Sequence, residues 1–329
     1  MIKRRSVLKL IAAPALMTVA QPGFAKEKVT YAYLLDPAYD AVTWAINNGK
    51  VKSDLVDVEA RGLAIPQLIQ ATSAKQYDVI MTAVIAVPPA KARGLELRVL
   101  STALQQSPAG EGAGIWVKSD SPIKNPKELK DKTLGSYALR STGYTQVRLA
   151  LIKKYGLNAN LEGGDIKQVE IQAPNLPGAL AAGQIDAATL IHSQAFRALK
   201  SGEFRAIAET GRDNIEAFGM RFISALNVSY PEKLTQRPDA FKEFDRMFRE
   251  SVQYALAHKH EVFGAVGKQN NLPPEFFNWW FEKSSDVPGT FTEEHAKIIM
   301  RFYELSKEIG MIPGFPDIRT LVWEHALKA

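Results

Sequence analysis

Residues 139–143 read Leu-Arg-Ser-Thr-Gly, an order of side chains that can hold an anion. Ser141 or Thr142 can cap a helix that starts here, leaving the amides of its first turn facing outward. Such amides, at the positive end of a helix dipole, attract negative charge. Gly143 completes the candidate turn, which lies between a strand end and a helix start. Arg140 adds a fixed cation whose planar fork matches the oxygens of a carboxylate or sulfonate. The plainer reading is an N-cap beside a solvated arginine, and residue types alone leave both open.

Four other places offer weaker chemistry. Tyr39 can form an aromatic wall where the stretch from Leu34 to Tyr39 ends a strand, while Asp36 reads either as a contact or as a helix cap. Thr82 and Ala83 supply a hydroxyl and a backbone amide at a strand end, or a buried turn. His192 can donate a hydrogen bond to an anion, although a lone histidine also suits an ordinary turn. Arg221 is a second partner for an anion, or half of a salt bridge between domains.

Reaction chemistry is harder to find. The chain has no cysteine, hence no thiolate nucleophile, disulfide or cysteine metal site. It contains neither a Gly-x-Ser-x-Gly elbow nor a His-Glu-x-x-His pair. Gly112-Ala113-Gly114 lacks the Lys-Ser/Thr ending of a phosphate loop. His258 and His260 have no evident carboxylate to complete a metal site. No cofactor and no metal are expected.

Positioning these residues requires strands that end beside helices that begin. Apolar runs at 28–34, 56–60, 77–82 and 97–101 read as strands, separated by helical stretches at 39–49, 67–74 and 88–94. The glycine-rich break at 107–114 leads into a strand at 115–118, and the alternation then restarts. Strands at 132–137, 166–171, 187–191 and 204–208 alternate with helices at 144–155, 176–182 and 193–201. This alternation predicts parallel sheets flanked by helices. A second crossover falls around 219–227. Beyond it the chain reads as helical at 238–259, 261–269, 274–280 and 293–310, with Phe241, Phe244, Met247, Phe248 and Val252 on one face.

The 329 residues exceed what one core usually organises, so two domains are expected. Lys and Arg number 41 against 35 Asp and Glu, a formal charge of +6. Lys3, Arg4, Arg5 and Lys9 precede an apolar run at 10–20 and a Gly23-Phe24-Ala25 ending, the pattern of an export signal cleaved near Ala25. The adjacent arginines are similar to a twin-arginine signal. The apolar run is too short for a membrane span. Without that leader the charge is nearly balanced, so nucleic acid is not an expected partner.

The order of segments resembles a family. Residues 116–135, beginning Trp-Val-Lys-Ser-Asp-Ser-Pro, resemble the opening of the second lobe in periplasmic substrate-binding proteins of ABC importers. Asn175-Leu-Pro-Gly-Ala-Leu-Ala-Ala-Gly-Gln-Ile-Asp-Ala-Ala resembles their recurrent Ala-Gly-x-Ile-Asp-Ala segment, and residues 67–79 are its degraded first-lobe counterpart. The nearest subfamily binds nitrate, taurine, alkanesulfonates or thiamine-pyrimidine precursors. The resemblance implies a type II two-lobed α/β fold: an export signal at 1–25, lobe 1 with a helical tail at 26–108 plus 222–329, and lobe 2 at 109–221. It implies a monomer in the periplasm that closes on a small anion and delivers it to an inner-membrane permease. In that family the turn equivalent to 139–143 commonly carries a Ser or Thr that holds the ligand. The bulky edge at Leu34–Tyr39 departs from the small polar residues usual there, which favours a larger, partly apolar ligand over nitrate. The alternative is an enzyme on the same fold, similar to thiamine-pyrimidine synthases or certain dehydratases.

Overall fold

The computed structural model describes residues 26–326; the expected export signal at 1–25 lies outside the described residues. Among the described residues, eleven strands form two sheets. The first contains β1 (Glu27–Leu34), β2 (Val56–Leu63), β3 (Val79–Ala83) and β4 (Arg98–Gln106). The second contains β5 (Ala113–Lys118), β6 (Thr133–Ser136), β7 (Lys167–Glu170), β8 (Ala187–Ile191) and β9 (Phe204–Glu209). The chain then returns to the first sheet as β10 (Ile223–Ser229) and the two-residue β11 (Ser285–Asp286).

Strand order is β11-β4-β10-β3-β1-β2 in one sheet and β7-β6-β8-β5-β9 in the other. β1 pairs in parallel with β2 and β3, and β6 with β7 and β8. The strands that follow each crossover behave differently. β10 inserts antiparallel between β3 and β4, and β5 antiparallel between β8 and β9. Each sheet is therefore parallel in direction but for its inserted strand, and for β11 at one edge. Each lobe's sheet is completed by chain that has come from, or is leaving for, the other lobe.

The strand expected at 97–101 extends to Gln106. Its last residues, Leu104-Gln105-Gln106, are weak strand formers read alone. They are held because β10 and β11 pair with this strand on its two sides. Tertiary pairing overrides local preference here, and eight of the nine residues of β4 are buried.

Helix Pro37–Asn47 and tail helix Pro238–Ala257 cover the β1–β2 side of the first sheet, where Tyr31, Tyr39, Phe244 and Phe248 share one core. Phe241, Met247 and Val252 are buried with them, as the 3.6-residue spacing predicts. Tail helix Glu293–Glu308 packs on the opposite face with Phe222, Ile299 and Phe302. The second sheet has its own two cores, around Ile115 and Leu134 on one face and Trp116 and Leu190 on the other.

Two helices of the second lobe reach into the first. Helix Thr142–Lys153 places Leu149 in the core of the Glu293–Glu308 helix. Its Arg148, 1% exposed, donates to the carbonyl of Ile309 at 3.2 Å and to that of Ala159 at 2.6 Å. Helix His192–Ser201 buries Phe196 against Phe276 and Trp279 of the tail. The two lobes thus meet on two apolar contacts besides the crossovers.

Candidate functional site

The carboxyl ends of β1, β3, β6, β7 and β8 face a cavity of about 710 Å³ between the two sheets. Ligands in open α/β sheets sit at this edge, and the volume suits a small organic molecule. The two walls differ in chemistry. The first lobe contributes Leu34, Ile65, Leu68, Ile69, Met81 and Leu95, with Thr82 and Ala83 at the end of β3. The second contributes Tyr137, Arg140, Ser141, Thr142, Gly143 and His192, together with the carboxylates Glu111, Glu162 and Glu170.

The turn at 139–143 is a helix N-cap. Ser141 has extended backbone, and its Oγ accepts from the Tyr144 amide at 3.1 Å and donates to the Ala138 carbonyl at 2.9 Å. Ser141 is thereby committed to the cap. Helix geometry leaves the Thr142 and Gly143 amides without intrahelical acceptors. A side chain on Gly143 would strike the Tyr137 hydroxyl. Only glycine lets that tyrosine close over the turn. Burial pushes the Tyr137 phenol above its ordinary value, with Ser141 opposing, so it stays neutral and available as a donor.

Thr142 is used across the cleft. Its Oγ1 accepts from the Ile85 amide of the first lobe at 3.1 Å, joining the lobes directly beside the cavity. Arg140 lies at the rim and is exposed. It is not enclosed within the cavity.

Three expected contacts are placed elsewhere. Asp36 caps helix Pro37–Asn47, accepting from the Ala38 amide at 2.9 Å. Tyr39 is fully buried and donates to the Ala103 carbonyl at 2.5 Å, so it belongs to the core and not to the cavity wall. Arg221 pairs with Asp286 of β11 and donates to the Gln106 carbonyl at 3.3 Å. It braces the crossover instead of facing the cavity. Tyr39 and Arg221 are claimed by partners that sequence order does not reveal, and Asp36 by an amide two residues on.

Other cavity residues carried no signal of their own. Gln106 donates to Gln146 Oε1 at 3.0 Å, and Gln146 donates to Ser224 Oγ at 3.3 Å, linking both crossover strands to the second-lobe helix. Gln146 lies four residues after Thr142 and so shares its helix face; that spacing was the available clue. Trp280 was hidden in an aromatic run that reads as packing. It is fully buried, and its Nε1 donates to His192 Nδ1 at 2.6 Å. His192 itself lines the cavity with a left-handed φ of 50°, strain of the kind that concentrates at functional sites.

The crossover beside the cavity is tight. Gly112 has φ +85°, and a Cβ there would collide with Ser284 of the tail. Its amide donates to Glu209 Oε2 at 3.1 Å. Burial drives that carboxyl up to about 7, against the Gly112 hydrogen bond that lowers it. Lys283, Ser284 and Ser285 run alongside, with the Ser107 amide donating to the Ser284 carbonyl at 3.1 Å. A third segment of chain therefore flanks the two crossovers.

Comparison with solved structures gives the same architecture in several proteins. The aliphatic sulphonate binding protein SsuA of Escherichia coli superposes with a TM-score of 0.70 at 17% identity, covering 92% of this chain and 99% of that one. The alkanesulfonate-binding SsuA of Xanthomonas axonopodis pv. citri, solved bound to MOPS, gives 0.71 at 19% identity, over 91% and 99% of the two chains. A Candida albicans gene product described as having the generic periplasmic binding protein fold gives 0.70 at 15% identity, over 92% and 98%. At these identities the likeness establishes the fold: two α/β lobes of the periplasmic binding protein type. A search of curated protein sequences finds no match. The family model described as NMT1/THI5 like matches residues 64–262, which span β3 to β10 and hold most of the cavity wall. On that match, over more than half its length, the chain belongs to the NMT1/THI5-like family.

Proposed function

We propose that this chain is a periplasmic solute-binding protein of an ABC importer. It captures a small organic anion, a sulfonate or carboxylate with an alkyl or aromatic body, by closing its lobes. It then delivers that solute to a membrane permease. The observation that carries the reading is the division of the cavity. The unspent helix amides, the Tyr137 hydroxyl and His192 stand on the second-lobe wall, with Glu111, Glu162 and Glu170 also lining it, and the first-lobe wall is mainly aliphatic, with Thr72, Ser73, Thr82, Arg93 and Gln105 among its polar side chains. An amphipathic anion satisfies both walls at once, its head on the helix N-terminus and its body on Ile65, Leu68, Ile69 and Met81. Sulfonate binders among the fold's known members support the same class. The leader at 1–25, cleaved near Ala25, supports the location. A 26–108 plus 222–329 first lobe, a 109–221 second lobe and a monomeric state complete the proposal.

Thermal unfolding with a panel of ligands tests it. Hexanesulfonate, hexanoate and an arylsulfonate should raise the melting temperature, by an amount equivalent to about 2.7 kcal/mol at a hundredfold excess over Kd. Hexylamine and hexanol share the body without the anion and should have no such effect. Equal stabilisation by hexylamine would overturn the assignment of an anion site.

A further inference from the structure

The contact between Trp280 and His192 bears on how the cavity selects its ligand. An indole N–H donates and cannot accept. With Trp280 Nε1 at 2.6 Å from Nδ1 of His192, Nδ1 must be the accepting nitrogen. The ring proton then resides on Nε2, because a partner on one ring nitrogen sets the role of the other. The two rings lie 5.8 Å apart, and the indole is fully buried and packed edge-on to Tyr39. Tyr39 is held in turn by the Ala103 carbonyl. The indole is therefore wedged in the first-lobe core while the imidazole belongs to the second lobe and lines the cavity. The left-handed backbone at His192, φ 50°, is maintained in a residue that has an L side chain to strain it.

We infer that Trp280 is a positioning residue: it fixes His192 with its proton on Nε2, so that the cavity presents a permanent donor to the head of a bound anion. This rests on the solute-binding reading above and adds to it a residue 88 positions away in sequence. A donor locked in place discriminates between ligands, since a head group that itself donates would leave two N–H groups opposed. The same bond joins the two lobes, the indole from the first and the imidazole from the second.

The test uses the full chain and two variants. In the unliganded wild type, long-range proton–nitrogen correlation spectra of the imidazole should show His192 protonated at Nε2 alone. Adding hexanesulfonate should shift that nitrogen. Trp280→Phe keeps an aromatic ring and loses the indole donor together with part of the buried ring volume; His192 should then show a mixture of the two ring tautomers, and hexanesulfonate affinity should fall about tenfold. His192→Gln restores a side-chain donor and should bind more tightly than His192→Leu. Protonation at Nδ1, an unchanged tautomer in Trp280→Phe, or bound hexanesulfonate with no shift at Nε2 would each overturn the inference. If no sulfonate or carboxylate binds the wild type, the ligand class proposed above fails. The inferred role as donor to an anion then fails with it, even where the spectra of the free protein still show the indole setting the tautomer.

Discussion

At the scale of single residues, the turn at 139–143 divides its work in a way its composition conceals. Ser141 closes the helix, Thr142 joins the lobes, and Arg140 stands at the rim. Thr142→Val keeps the shape and removes the acceptor of the Ile85 amide. Leaving a buried N–H unpaired costs about 1–3 kcal/mol, and that cost falls on the closed state alone. Hexanesulfonate should dissociate faster from Thr142→Val, by roughly tenfold in a stopped-flow displacement experiment (1.4 kcal/mol per tenfold). Arg140→Ala should behave differently. An exposed charge steers encounter more than it holds a ligand. Its loss should lower the association rate and flatten its salt dependence, with a change in affinity below about 1 kcal/mol. The N-cap was readable from sequence because capping is local. Asp36 and Arg221 take the plainer of the two roles the sequence allows, a cap on the Ala38 amide and a salt bridge with Asp286, while Tyr39 is drawn into the core by the Ala103 carbonyl. Of these, Ala38 alone was in reach of a sequence argument.

At the scale of elements, helix Thr142–Lys153 connects the cavity to the tail. Its first turn faces the cavity, and its buried Arg148 bonds the carbonyls of Ile309 and Ala159 and Asn160 Oδ1. Its guanidinium thus lies among neutral acceptors. Burial and the nearby Arg140 lower its affinity for a proton, with Tyr144 opposing. Arg148→Leu removes the donor and leaves buried carbonyls without it. A loss of about 2–4 kcal/mol in chemical denaturation is expected, with weaker attachment of the tail helix seen as faster amide exchange around Ile309. The strand–helix alternation of both lobes was readable because each element has its own period and punctuation. The central placement of β10 and β5 was not. Strand order depends on pairing across more than a hundred residues, such as Leu226 with Thr102. Nor does a sequence period reveal the π-helical turn Trp280–Ser284 that brings Trp280 to His192.

At the scale of the whole molecule, buried carboxyls set how stability varies with pH. Glu209 at the crossover is pushed up to about 7 by burial. Asp245 in helix Pro238–Ala257 is pushed up to about 8 by burial, against an opposing effect of Arg249, and neither of its oxygens has a partner. In the unfolded chain both ionise near pH 4 (about 3.9 for Asp and 4.3 for Glu). Between those values the folded protein holds protons that the unfolded chain releases. The contribution of these two groups should be greatest below about pH 4, fall as pH rises towards about 8, and level off above, while carboxylates held below their ordinary range, such as Asp78 beside Lys233 and Arg237, oppose it only at the acid end. The slope is at most about 1.4 kcal/mol per pH unit for each group. Urea unfolding at a series of pH values should show this decline, and Asp245→Asn, which cannot ionise, should make it shallower. An equally steep decline in Asp245→Asn would exclude Asp245 as its source.

The insertion of β10 between β3 and β4 also governs the order of assembly during synthesis. A nascent chain that has delivered β1 to β4 holds a sheet with a missing middle, its two unpaired edges open to wrong partners. The gap closes only after the entire second lobe has been made and the chain has come back. The lobe translated first is finished last, so a ribosome-bound intermediate carries a completed second lobe and a half-built first one. That intermediate, more than the mature protein, is the form that needs shielding from aggregation.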